Sequence, residues 1–549
     1  MDYNNGHVIG TESLCRMEMK DQITRRDFLK LAGLLPVSIA APRFISSLDR
    51  IQSNSQNVLV IVFDAWSAYH LSLNGYPRET APNIARLADR AVVYHNHYAG
   101  GNFTTPGTAS LLTGTHPWTH RAFQPGGTIP DDRVSHNIFA AFKNHYRVTY
   151  SHNLWANLLL REFRDDLEQY IPKKKYFLTG DGFDSKQDFF LDSNAIIPSL
   201  FENDEDVALV SWIRAMEKEQ EGYAYSLFLS PLYEGYRNYI YENRFADIKA
   251  LFPRGIPRDD YDYFLLEDGL EAIEKLLTTI PQPFTGYFHF WPPHAPYNTN
   301  KDFIDRFYED GYTPPSKPFD LFGDKGDKTK NRREYDEYIL YVDREFGRFY
   351  DRLEQNGLLE NTWLVLTSDH GELFERGIEG HRTPVLYEAV IRVPLLIFEP
   401  GRISRMDIYE NTSAVDILPT LLHVTGQEPS DWAEGVVLPP FSPENSDPER
   451  SVYVMQPERS EQFGPLNIAT LSIRKGDYKL LYFYGYKELG GAGERVELYN
   501  IKDDPEELNN LYDAEPEIRG ELLDELKAKL KEMNAPYLSA SQKNGKNIA

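Results

Sequence analysis

Asn57 to Phe63 reads NVLVIVF, a short run without a charge and rich in β-branched residues. Such a run is a strand buried on both faces, as inside a parallel sheet. It stops at Asp64. The pattern recurs at Phe284–Trp291, Thr362–Thr367 (TWLVLT) and Val393–Phe398. PPHAPY follows the first of these and Ser368-Asp369-His370-Gly371 the second. Helical signals lie between. Thr80-Ala81-Pro82 predicts a helix to about Arg90 with Thr80 as its cap, and Thr104-Thr105-Pro106 opens TASLLTG, closed by Gly114. Arg332–Gln355 is a long helical stretch. Strands alternating with helices predict an α/β fold, a large parallel or mixed sheet sandwiched by helices. Ligands in such sheets bind past the carboxyl ends of strands, where Asp64, His294 and Asp369 stand.

Beyond about residue 440 the texture changes. Ser451–Met455, Ala469–Arg474, Tyr478–Tyr484 and Arg495–Tyr499 predict short antiparallel strands, and Glu515–Glu532 an amphipathic closing helix. At the other end, TRRDFLK (Thr24–Lys30) precedes LAGLLPVSIAA, which predicts a twin-arginine export signal. The organisation read from these changes is an export signal over 1–40, a catalytic domain over 55–435 and a smaller α+β unit over 440–540. Lys173–Arg258, rich in Tyr, Phe and Asp, carries no readable motif.

The 549 residues carry 58 Lys and Arg against 83 Asp and Glu, a net charge of −25. Nucleic-acid binding needs the opposite sign and is excluded. The one cysteine, Cys15, falls inside the export stretch, which rules out disulfides and cysteine-held zinc. No apolar run is long enough for a stable membrane span. The expected location is periplasmic or extracellular, with the twin-arginine translocase as a partner.

Together and in order, these motifs resemble the sulfatase branch of the alkaline phosphatase superfamily. Asn57–Asp64 is similar to its first strand with a metal-binding aspartate. GYPRETAPNIARLADRAVVYHNHYA (Gly75–Ala99), TTPGTASLLTG (Thr104–Gly114), HAPY and SDHGE follow in the family's order. So do LYEAVIRVPLLI, NTSAVDILPTLLHVTG (Asn411–Gly426) and ELYNIKDDPEELNNL. The resemblance implies a metal site of Asp64, Thr104, Asp369 and His370, with Thr104 as nucleophile and Thr105 as the second choice. His294 and His381 are the expected acids or hydrogen-bond donors to the substrate, and Asn153 a further donor.

The departures bear on the reaction. Thr104 stands where sulfatases carry a cysteine matured to formylglycine. Ala65 replaces the second aspartate of a pair, Gly107 a serine and Thr108 an arginine. Asn153 falls where a lysine is usual, and a second lysine is absent near His381. A formylglycine hydrate has a second hydroxyl to expel bound sulfate, and threonine has none. A phosphorylated threonine can instead be displaced in line by water or an alcohol. The reading therefore moves toward phosphate monoesters or diesters, with sulfate esters as the alternative. The substrate is a small ester or a glycan. Three oxygens and one nitrogen suit one divalent manganese, zinc or magnesium ion better than calcium. Two further alternatives are a transferase moving a phospho-alcohol onto envelope glycans and a degenerate, non-catalytic binding protein.

Overall fold

The computed structural model describes residues 56–178, 239, 243–259, 262–324, 326–442, 446–458 and 462–543. The export stretch 1–40, with Cys15, and most of Lys173–Arg258 lie outside the described residues.

Eight strands form the main sheet: Asn57–Phe63 (β1), Val92–Tyr94 (β2), Tyr146–Ser151 (β3), Gln169–Tyr170 (β4), Phe284–Phe290 (β5), Thr362–Thr367 (β6), Leu395–Phe398 (β7) and Met406–Ile408 (β8). Their spatial order is β8-β2-β7-β6-β1-β5-β3-β4. β1 is central and parallel to both neighbours, Val62 lying opposite His289 and Thr367. Its side chains divide between two cores. Val58, Val60 and Val62 pack with Ala109, Leu112 and Leu418, and Leu59, Ile61 and Phe63 with Leu270, Ile339 and Phe346. A continuous apolar run is what burial on both faces requires.

Helices cover each face. Pro82–Ala88 (α1), Leu266–Leu277 (α4) and Thr329–Gln355 (α5) lie over one, and Thr104–Thr113 (α2), Leu154–Glu162 (α3) and Ile417–Val424 (α6) over the other. The sheet is mixed, within the expectation from sequence. β7 is antiparallel to both β6 and β2. The link from Thr367 to Leu395 holds a hairpin, Leu373–Glu375 with Ile378–Gly380, and a four-residue helix, Glu388–Ile391, and the chain re-enters the sheet from the carboxyl edge. Thr80 does not cap α1. Its hydroxyl donates to the His70 carbonyl at 2.7 Å. The cap comes from α5, where the Asp343 carboxylate accepts from the N–H groups of Asn83 (2.9 Å) and Ile84 (2.7 Å).

The C-terminal strands Val452–Pro457 (β9), Ala469–Lys475 (β10), Tyr478–Tyr484 (β11) and Glu494–Asn500 (β12) form an antiparallel sheet in sequential order. One face takes the helix Pro516–Lys543 (α7) through Leu522, Leu526 and Met533. The other packs Val454, Leu481 and Phe483 on Leu386, Val390 and Ile391. Among the described residues no helix is long and apolar enough to cross a membrane.

Candidate active site

Every site residue expected from the sequence lies at the carboxyl edge of the main sheet or at the start of α2. Asp64 follows β1, and its N–H continues the ladder to the Phe290 carbonyl at 2.9 Å. The next residue, Ala65, has a left-handed φ of 58°, a conformation that aspartate and asparagine adopt more readily than alanine. Hydrogen bonds join this turn to the one after β6. Ala65 N–H donates to Asp369 Oδ1 (3.3 Å) and Trp66 N–H to Ser368 Oγ (2.9 Å). Two aspartates from sequence-distant segments are thereby held side by side.

α2 brings Thr104 against the same turn. Gly107 makes the approach possible, because a Cβ there would sit 2.1 Å from the Asp369 carbonyl oxygen. Thr104 Oγ1 lies 3.5 Å from His370 Nε2 and accepts from Asn153 Nδ2 at 3.2 Å. Asn153 also donates to Asp64, while its Oδ1 caps α3 by accepting from the N–H groups of Trp155 and Ala156. The amide nitrogen is thus turned to Asp64 and Thr104, and the amide oxygen to the helix start. The Thr105 hydroxyl is buried without a hydrogen-bond partner.

His289 was not foreseen. It stands inside the aromatic strand FTGYFHF and reads as a core residue. The available signal was register: it lies opposite Val62, two residues before Asp64. Its Nε2 is 3.6 Å from Asp64 Oδ2 and 3.7 Å from Asp369 Oδ2, and its Nδ1 is 3.2 Å from the Tyr287 hydroxyl. His289 Nε2, Asp64 Oδ1 and Asp369 Oδ2 are all buried without a hydrogen-bond partner. Each of the three residues offers a ligand atom within 4.8 Å of the others'. Orphaned buried polar atoms are costly, and three of them converging fit a shared cation.

His370 adds to this set. Its Nδ1 donates to the Gly371 carbonyl at 2.9 Å, so the neutral ring turns the Nε2 lone pair toward Asp64 Oδ1, 3.3 Å away. A lone pair facing a carboxylate calls for a proton or a metal between them. Burial alone would depress His370, but Asp369 and Asp64 raise it to about 9. Burial also opposes ionisation of both aspartates. His294, His289 and His370 nevertheless hold Asp64 well below the usual carboxylate range, and Asp369 is pushed up by burial and the Asp64 charge.

His294, His370 and His381 gather over this centre, the His381 ring centroid 4.3 Å from that of His370 and 4.9 Å from that of His294. His294 Nδ1 donates to the Ala295 carbonyl at 2.7 Å. His381 Nδ1 lies 3.2 Å from Glu372, a residue quoted within SDHGE but given no role from sequence. Burial raises Glu372 to about 7, and burial with two neighbouring imidazoles depresses His381.

A twisted α/β sheet with carboxylates, imidazoles and a hydroxyl at its carboxyl edge defines a class built for anionic esters. The Sulfatase family profile matches residues 56–427, and that of the N-sulphoglucosamine sulphohydrolase C-terminal region matches 380–536. The chain belongs to the sulfatase family. Bovine (Bos taurus) arylsulfatase K is 32% identical over 203 residues, covering 36% of each chain, so the match spans about a third of that relative's length. The multifunctional alkaline phosphatase superfamily protein PehA of Trinickia caryophylli is 23% identical over 520 residues, covering 83% of this chain and 91% of that one. The crystal structure of the phosphonate monoester hydrolase of Agrobacterium radiobacter superimposes with a TM-score of 0.59 at 18% identity, covering 87% and 96% of the two chains. That likeness is one of fold.

Proposed function

We propose that this chain is an exported, metal-dependent hydrolase of phosphate esters with Thr104 as its nucleophile. The observation that carries the reading is the convergence of Asp64 Oδ1, His289 Nε2 and Asp369 Oδ2, all unsatisfied, beside the Thr104 hydroxyl. Asp64, His289, Asp369 and His370 would hold the ion, with Thr104 beside them. Two imidazole nitrogens among carboxylate oxygens favour zinc or manganese over calcium. A bound divalent ion would lower the pKa of a hydroxyl and neutralise charge on the ester.

The chain's own groups supply the remaining steps. The first turn of α2 points N–H groups and its positive dipole end at the anion. Asn153 Nδ2 fixes the Thr104 oxygen. With its Nε2 committed to the ion, His370 lies 3.5 Å from the Thr104 hydroxyl, whose proton passes to water. Thr104 Oγ1 bonds to phosphorus as the bond to the leaving alcohol breaks, and His294 gives that alcohol its proton. Water then attacks the phosphorus, releasing phosphate and restoring the hydroxyl, so each turnover consumes one ester and one water. Sulfate ester hydrolysis is the second reading, favoured by the arylsulfatase name of a relative. Metal analysis and turnover of 4-nitrophenyl phosphate, bis(4-nitrophenyl) phosphate and 4-nitrophenyl sulfate test both. A metal-bearing protein that turns over none of them overturns the reading.

A further inference from the structure

The acidic groups of the site are plain, but its positive charge is scarce. Among the described residues, no hydrogen bond or ion pair joins a lysine or arginine to Asp64, Thr104, Asn153, His289, Asp369, His370, Glu372 or His381. An anionic ester entering a protein of net charge −25 meets carboxylates first. An arginine, Arg382, follows His381 directly.

Arg382 is exposed, yet the backbone on both sides of it is pinned. Asn102, fully buried, donates through Nδ2 to the carbonyls of His381 (2.7 Å) and Thr383 (2.8 Å). The same clamp ties this loop to the residues leading into Thr104. The guanidinium lies 5.9 Å from the ring centroid of Phe103, the residue directly before Thr104. Among the described residues no carboxylate pairs with it, whereas Arg78, Arg147, Arg402, Arg405 and Arg495 each have one. The loop is held, the head group has no carboxylate partner among the described residues, and it lies beside Phe103, the residue before the nucleophile, directly after an imidazole of the site.

We infer that Arg382 is a specificity-determining residue, a second anion-binding point that selects esters carrying another anionic group beside the one cleaved, such as a multiply sulfated or carboxylated sugar. The inference rests on the ester-hydrolase reading for the position of the reacting group. A guanidinium offers a planar fork to sulfate or carboxylate. On a pinned loop less of that contact is lost to ordering the arginine. The inner site takes the ester, and the rim takes the companion charge.

The test is a binding measurement on the full chain, independent of turnover. Calorimetry compares a galactose monosulfate with the disulfates bearing the second group at each other ring hydroxyl, for the wild type, Arg382→Gln and Arg382→Lys. The expected result is that at least one disulfate binds wild type tenfold or more tightly than the monosulfate. Arg382→Gln removes that preference, and Arg382→Lys keeps part of it, screened more strongly by salt. No disulfate preference in the wild type, or one that survives Arg382→Gln, overturns the inference. A preference that behaves as expected in a protein without ester turnover leaves the anion point standing and removes the hydrolase reading instead. The exposed position of Arg382 keeps the fold out of the comparison.

Discussion

Two buried polar clusters in this molecule are equally dry and differently built. In one, Lys479 of β11 sits between Glu388 (3.0 Å) and Glu507 (2.8 Å), all three at most 1% exposed. The Glu388 N–H donates to Glu507 at 2.8 Å, and the Tyr98 hydroxyl, which accepts from Arg474, faces Glu388. None of the polar side-chain atoms of Lys479, Glu388 or Glu507 lacks a partner. The other is the candidate active site, where Asp64, His289 and Asp369 each leave an atom without one. A saturated network holds the C-terminal sheet to the main body. An unsaturated one waits for something that the chain does not provide.

The largest expected effect falls on the unsaturated cluster. Thr104→Ala should lower turnover by about three to five orders of magnitude, with Thr104→Ser retaining substantial activity and Thr105→Ala costing far less. Rapid quench and intact mass should show a phosphorylated Thr104 in the wild type. Activity near wild type in Thr104→Ala would remove the covalent step.

Next comes the saturated cluster. Lys479→Met leaves two buried carboxylates facing each other and should cost about 3–5 kcal/mol of stability, read by denaturant unfolding, with metal content unchanged. His289→Ala is the mirror experiment. It should reduce metal affinity by at least ~100-fold, exceeding the loss typical of an outer-shell partner. The apoprotein's stability should fall much less than in Lys479→Met. Equal destabilisation of the two apoproteins would erase the distinction between the clusters.

The most gradual effect concerns acid. His97, His116 and His120 are held to about 3 by burial. Their unfolded-state value is near 6.5, so the unfolded chain binds more protons in between, and stability falls as pH drops from about 6.5 toward 3. Each histidine contributes a slope of about 1.4 kcal/mol per pH unit. His116→Gln should flatten the measured stability–pH curve by that amount.

The fold was legible where one feature decided the structure. NVLVIVF and TWLVLT could only be strands buried on both faces, and Gly114 closes α2 in the left-handed conformation expected of it. Strand β3, YRVTYS, was missed because its polar residues hide the alternation, although it carries the chain to Asn153. In the site, residues next to turns were readable, because Asp64, His294 and Asp369 interrupt apolar runs. His289 was not, since a histidine within an aromatic strand gains its meaning only from the strand beside it. Thr80 misled for a similar reason: the carboxylate that caps α1 comes from Asp343, about 260 residues away.

The central place of β1 has a consequence for how the chain is made. Val58 pairs with Thr285 and with Trp363. The first of the described strands to leave the ribosome therefore waits for partners synthesised about 230 and 305 residues later, on the order of 10 to 60 s at ordinary translation rates. Throughout that interval neither of its edges has its native strand beside it. The delay places the aggregation hazard of this chain at its beginning rather than its end.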